Sequence, residues 1–212
     1  MARSDSWTSR PPPRTHAEDG PGQRGPGPLS HPAVKLLRSW PRDPPEGRPH
    51  VIDGIERFIV DGYDYRRLAA VKDDVVLIEW DLAVDPEQVA GFIARVRQTP
   101  ERVRVAPYRL YYQYADDTVW GETEPRPVWA HRRYTSPERL RWVVDGDDTC
   151  HLFGFGLTYI PAPLIAAFCA DIQGPLGDSS FSRWHFLHAE DPEVVIDWEC
   201  RPVHLNHPQL EV

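Results

Sequence analysis

Val75-Val76-Leu77-Ile78-Glu79-Trp80-Asp81-Leu82-Ala83-Val84 is the stretch on which the fold turns. Consecutive apolar residues rich in β-branching predict a strand covered on both faces, the kind found in sheets flanked by helices. The run ends abruptly in two carboxylates, so the strand carries acid at its tip. Asp85-Pro86-Glu87-Gln88 then opens a helix. Asp85 suits the cap, Pro86 the first helical position, and Gln88 the place from which a capping-box partner reaches back. The acids therefore lie at the C-terminal end of a strand, the edge where open α/β sheets bind ligands.

On a regular strand Glu79 and Asp81 project to one face and Trp80 to the other. Two like charges side by side call for a cation. A hard divalent ion such as Mg²⁺ or Mn²⁺ prefers oxygen ligands and often keeps positions open for phosphate. The same spacing also fits surface acids at a strand end, one of them capping the next helix.

A chain of 212 residues with 41% hydrophobic content is long enough for one substantial core. No apolar segment approaches the roughly 20 residues needed to span a bilayer, and the N-terminal stretch has no secretory apolar core, so the expected address is cytoplasmic. A net charge of -8 argues against coating nucleic acid by bulk electrostatics, although local arginine patches can still meet phosphates. Of the 24 basic residues only Lys35 and Lys72 are lysine, a bias that GC-rich coding explains as readily as phosphate recognition. Cys150, Cys169 and Cys200 are too far apart for a zinc motif and odd in number, so buried free thiols are expected.

Residues 1–32, with Pro11-Pro12-Pro13 and a Gly/Pro-rich run after Asp19, hold too little apolar surface to order themselves and read as a disordered tail. Residues 33–212 form the expected single compact domain. Ala33 to Trp40 reads as a short helix, Val51-Ile52 and Phe58-Ile59-Val60 as strand pieces, and Tyr63 to Val71 as a helix leading into the acidic strand. Val89, Phe92, Ile93 and Val96 recur at helical spacing, and Val103 to Tyr108 reads as the next strand. It runs into an aromatic patch at Tyr108, Tyr111, Tyr112 and Tyr114 that fits either core lining or stacking on a base or sugar. This alternation predicts an α/β layer architecture.

Asp116 to Arg133 reads as a surface excursion, and within it His131-Arg132-Arg133 is the local candidate for phosphate contact, or else a solvated basic turn. Ser136-Pro137-Glu138 starts an expected short helix. His151 to Ile160 reads as a strand whose Gly154 and Gly156 imply a bulge or the close approach of a ligand. An apolar helix over Pro161 to Ile172 follows. Asp178 to His185 has the polar and aromatic mix of a site, and Val194 to Trp198 is the last strong strand. His204 follows it and is the better metal ligand among the histidines, because imidazole can complete a carboxylate site. For His185 and His188 a plain hydrogen-bonding role is expected.

Taken in order, these pieces resemble the GT-A type glycosyltransferases, especially small phage and bacterial members. The likeness runs over about 130 residues, through the acid-x-acid strand at 75–84, the strand at 103–108, the glycine-bearing strand at 153–161, Asp178 to His185, and Trp198 to His207. Glu79-Trp80-Asp81 stands where the commoner motif is Asp-x-Asp. The resemblance implies a GT-A-like, mixed but mostly parallel sheet flanked by helices. It also implies transfer of a sugar from a nucleotide-sugar donor with Mn²⁺ or Mg²⁺ as cofactor. By the same likeness Asp81 and His204 hold the metal, and Glu79 meets the donor sugar or ribose. Asp178 is the catalytic base, with Asp191 in reserve. Arg132 and Arg133 fall to the donor, and Trp184 and His185 to an acceptor that is a glycan or a nucleic-acid base. The first strand of that fold, expected before Ala33, has no counterpart in the Pro/Gly-rich tail. Two other readings stay open: a non-catalytic sugar- or nucleotide-binding module, and a metal-dependent hydrolase built on Glu79, Asp81, His185 and His204.

Overall fold

The computed structural model describes residues 33–43, 46, 53–112 and 126–206. The expected tail at 1–32, the Val51-Ile52 strand piece, most of the excursion after Asp116, Tyr114 and His207 lie outside the described residues. The elements begin with β1 (Val34–Pro41), β2 (Arg57–Val60), a 3-10 turn (Arg66–Ala70), β3 (Asp74–Ile78), β4 (Leu82–Ala83) and α1 (Pro86–Val96). Next come β5 (Arg104–Ala106), β6 (Arg109–Tyr112), β7 (Arg126–Trp129), β8 (Arg132–Ser136), β9 (Arg139–Trp142) and β10 (Thr149–Cys150). The described chain closes with β11 (Leu157–Ile160), α2 (Ala162–Asp171), α3 (Asp178–His188), β12 (Val194–Ile196) and β13 (Val203–His204).

A seven-stranded sheet runs in the order β10-β12-β5-β11-β3-β1-β2. β1 pairs parallel with β2 and β3, and β12 parallel with β5. β11 lies antiparallel between β3 and β5, and β10 antiparallel to β12 on the edge. All strands but β10 and β11 thus point one way, which gives a mixed α/β sheet with its carboxyl edge at the tips of β1, β3 and β5.

β3 is buried along its whole length because both of its faces are covered. Val75 and Leu77 face one apolar cluster with Phe168 of α2 and Phe181 and Trp184 of α3. Val76 and Ile78 face the other, with Val89, Phe92 and Val96 of α1. Each of those helix side chains contributes about 1.5–3 kcal/mol when fully buried. Asp85 caps α1 as expected, accepting from Glu87 N at 2.7 Å and Gln88 N at 3.3 Å. Gln88 does not complete a capping box; its Oε1 accepts from Arg201 N at 3.2 Å and ties the helix to the C-terminal segment.

Four expectations need correction. Ala33 to Trp40 is not a helix: Val34–Pro41 is an inner strand, and ladders on both sides override its helical propensity. That strand lies directly beside the acidic strand, paired parallel with it from Val34↔Asp74 to Arg38↔Ile78. Tyr63 to Val71 shrinks to one 3-10 turn. Ser136-Pro137-Glu138 is the turn of the β8–β9 hairpin, where Ser136 Oγ donates to Glu138 Oε2 at 3.2 Å. The strand expected from His151 keeps only Leu157–Ile160, because Gly154 and Gly156 break the segment before it. Asp178 to His185, by contrast, is ordered as the first part of α3.

Cys150 and Cys200 are buried and Cys169 half-buried, and all three are free. Among the described residues no helix is long and apolar enough to cross a membrane.

Candidate functional site

β3 stops at Ile78, and the chain turns at once, Leu82 N donating to Glu79 O at 3.2 Å. Glu79 and Asp81 are therefore neighbours through a turn and not through the pleat of a strand. Arg38 of β1, only 1% exposed, holds that turn from beneath. Its Nη1 donates to Glu79 O at 2.8 Å and to Leu82 O at 2.9 Å, and its Nη2 pairs with Asp53. A buried guanidinium is well suited to this because its rigid fork reaches several acceptors together.

Glu79 accepts from the Tyr65 hydroxyl at 3.3 Å and from Gly156 N at 3.2 Å. Burial, and then the charges of Asp81 and Asp178, push its carboxyl from 4.5 up to about 8. Asp81 is held from the C-terminal side. β13 pairs antiparallel with β4, setting His204 opposite Leu82, and Leu205 N donates to Asp81 O at 2.8 Å. Asn206 Nδ2 then donates to Asp81 Oδ2 at 2.8 Å, and His204 Nε2 stands 3.5 Å from the same oxygen. Asn206 N donates to His204 Nδ1 at 3.3 Å, which leaves the proton of a neutral ring on Nε2, facing the carboxylate.

Tyr108 joins this cluster to a cleft of about 680 Å³. Its ring stacks on His204 with centroids 5.8 Å apart and meets His131 edge-on. The two glycines of the broken segment are what admit it. A Cβ on Gly156, whose φ is +21°, would lie 2.2 Å from Tyr108 Cε1, and one on Gly154 would lie 2.5 Å from Tyr108 Oη. The close approach at these glycines is made by the protein's own tyrosine, its ring at Gly156 and its hydroxyl at Gly154, and not by a ligand as expected. Asp178 Oδ2 lies 3.6 Å from the same point above Gly154, so the carboxylate and the phenol converge there. Asp178 is the first residue of α3 and lines the cleft with Tyr108, Arg132, Trp142 and Trp184.

Asp81, His204 and Glu79 thus gather at the tip of β3, while Asp178, Arg132 and Trp184 share the cleft beside it. Arg132 lies over the Trp142 ring at 4.6 Å. Arg133 does not line the cleft; it points to Thr149 O at 3.3 Å and Glu193 at 3.6 Å. His185 is 2% exposed, packed against Phe153 and Phe181, with burial lowering its pKa to about 4. Its neighbour His188 takes the place on the cleft wall that was expected of His185. His131 is fully buried against Ala106 O and contacts no solvent. Asp191 pairs with Arg102 at 3.0 Å. With His185 in the core, the four-residue hydrolase set is not assembled.

A metal would find one carboxylate and one imidazole here. Among the described residues no group of three or more His, Cys, Asp or Glu side chains is arranged to hold an ion. That excludes a closed cage among those residues and fits only an open site, in which one or two protein ligands are joined by substrate phosphates. Tyr65, Asn206 and Arg38 escape sequence reasoning. Tyr108 is visible in the sequence as part of the aromatic patch, and the glycine pair is the signal of the room made for it.

No family model matches the chain, and no curated protein matches it. Among solved structures, A197 from STIV aligns over 80% of this chain and 85% of its own, with 14% identity and a TM-score of 0.45. That likeness is too slight to assign a fold type or an activity.

Proposed function

We propose that this protein is a GT-A-like glycosyltransferase that uses a nucleotide-sugar donor and a divalent ion, Mn²⁺ or Mg²⁺. The observation that carries the proposal is the meeting of Asp81 and His204 at the tip of β3, next to a cleft whose wall presents Asp178. Asp81 would hold the ion through its carboxylate and His204 through Nε2 once the ring proton moves to Nδ1 and the contact with Asn206 N is released, while Asn206 Nδ2 keeps the Asp81 carboxylate in place. When bound, the ion supplies Lewis-acid stabilisation of the negative charge on a departing diphosphate.

Asp178 accepts the proton of the acceptor hydroxyl as its oxygen bonds to the anomeric carbon and the sugar–phosphate bond breaks. Such general-base help is typically worth 10² to 10⁴-fold, or about 3 to 5 kcal/mol. Glu79 meets the donor sugar or ribose. Arg132, on the cleft wall, meets the donor, whereas Arg133 is committed to Glu193 and drops out of the donor set. Trp184 presents the apolar wall for a glycan or nucleobase acceptor, its indole N–H fixed to Asp171 at 3.1 Å.

The test is calorimetry with Mn²⁺ and UDP, followed by nucleoside diphosphate release from UDP-glucose, UDP-galactose, UDP-N-acetylglucosamine and GDP-mannose. Asp81→Ala should abolish metal-dependent UDP binding, and Asp178→Asn should bind but release at least about a hundredfold more slowly. Binding by the parent without release of any product would leave a sugar- or nucleotide-binding module. Equal binding by Asp81→Ala would overturn the metal assignment.

A further inference from the structure

We infer that the Tyr108 hydroxyl is a ligand-contacting group, donating a hydrogen bond to an oxygen of the sugar or hydroxylated acceptor held beside Asp178; this rests on the transferase reading above. Tyr108 is 5% exposed overall, and its hydroxyl, which makes no hydrogen bond to another described residue, keeps solvent contact where the residue lines the cleft. A tyrosine whose body is buried commonly presents that group to a polar partner. The position shows what partner it would meet. The residue lines the cleft, and the oxygen lies over Gly154, at the point toward which the Asp178 carboxylate also turns.

The ring stacks on His204, meets His131 edge-on, and occupies the space left by Gly156, while the hydroxyl takes the space over Gly154. A phenylalanine would keep every ring contact. The hydroxyl is thus the one polar part of the side chain, packed over Gly154 with no hydrogen bond to another described residue. It sits on the Asp178 side of the residue, whereas the ring stacks on His204. A neutral phenol can donate to a sugar oxygen while Asp178 accepts a proton from a neighbouring one, so the two act on adjacent atoms of one ligand without competing.

Tyr108→Phe removes the oxygen and keeps the ring. Its melting temperature should equal or exceed that of the parent, since no protein hydrogen bond is lost. Its Mn²⁺ affinity should stay within about twofold, because His204 keeps its stacking partner. Its kcat/KM for nucleoside diphosphate release, measured with whichever of the four nucleotide-sugars the parent uses, should fall at least about tenfold, the equivalent of one hydrogen bond to ligand. Tyr108→Leu, which also loses the ring, should lose metal affinity and thermal stability together. Unchanged kcat/KM in Tyr108→Phe overturns the role of the hydroxyl while leaving the transferase reading intact. A clear drop in its melting temperature overturns it too, by revealing a structural partner. A parent that binds and turns over none of the four sugars overturns the transferase reading, and this inference with it.

Discussion

Asn206 reaches across to Asp81 Oδ2 at 2.8 Å, and its backbone N–H fixes His204 Nδ1. The side-chain amide sets the carboxylate rotamer, while the backbone N–H favours the ring tautomer with its proton on Nε2, which metal binding through Nε2 would have to reverse. Partners of metal ligands typically contribute 10 to 100-fold in affinity, so Asn206→Ala, which removes the amide from Asp81 and keeps the backbone N–H, should weaken Mn²⁺ binding by about that factor. Calorimetry reads the difference, and a variant with parental affinity would show that Asp81 needs no such support. At this scale the sequence makes Asp81 and His204 visible, because an acid or an imidazole after an apolar run stands out, and Asp178 through the polar and aromatic mix of the segment it opens. Asn206 and Tyr65 do not stand out. A short amide and a single phenol acquire meaning only when tertiary contacts bring them to a carboxylate. Arg38 hides for the opposite reason: it lies in an apolar strand, where its charge argues against burial until two carbonyls and Asp53 are seen around it.

The elements were legible in proportion to how strongly their pattern is local. β3 and α1 read directly, one as a β-branched run and the other as a capped helix with apolar residues at helical spacing. β1 did not, because its eight residues carry no strict alternation and become a strand through ladders with β2 and β3, whose partners lie far along the chain. The segment between β10 and β11 departs from the expected strand for a related reason: its two glycines make room for a side chain just beyond β5. Gly156→Ala tests that account. The new methyl would meet the Tyr108 ring at 2.2 Å, and overpacking of this sort costs about 1–3 kcal/mol. Urea unfolding should show that loss in Gly156→Ala and a smaller one when the substitution is made on a Tyr108→Leu background, since removing the ring removes the clash. Equal losses in both backgrounds would place the strain in the backbone at φ +21° and not in the packing. Asp85→Ala gives a simpler control, with about 1 kcal/mol expected from the lost cap of α1.

Among the described residues, burial lowers the pKa of three imidazoles, His131, His151 and His185. His131 is buried against Ala106 O between β7 and β8, and His185 is packed inside α3, and burial lowers each from 6.5 to about 4. The unfolded chain therefore binds more protons than the folded one between those values, and stability rises with pH across the window. Their contribution is complete above about 6.5 and is lost as pH falls toward 4. Glu79 has the reverse sign, since its raised carboxyl favours the folded state as pH falls from about 8 toward 4.5. The two trends overlap, so the parent's pH profile alone does not separate them. His185→Leu does, because leucine fills an apolar site beside Phe153 and Phe181 without a proton to lose. The difference in unfolding free energy between parent and His185→Leu should move in favour of the variant as pH falls from 7 to 5, while Glu79 cancels between them. A difference that stays constant with pH would mean that His185 takes up its proton over the same range folded as unfolded, and would overturn the account from burial.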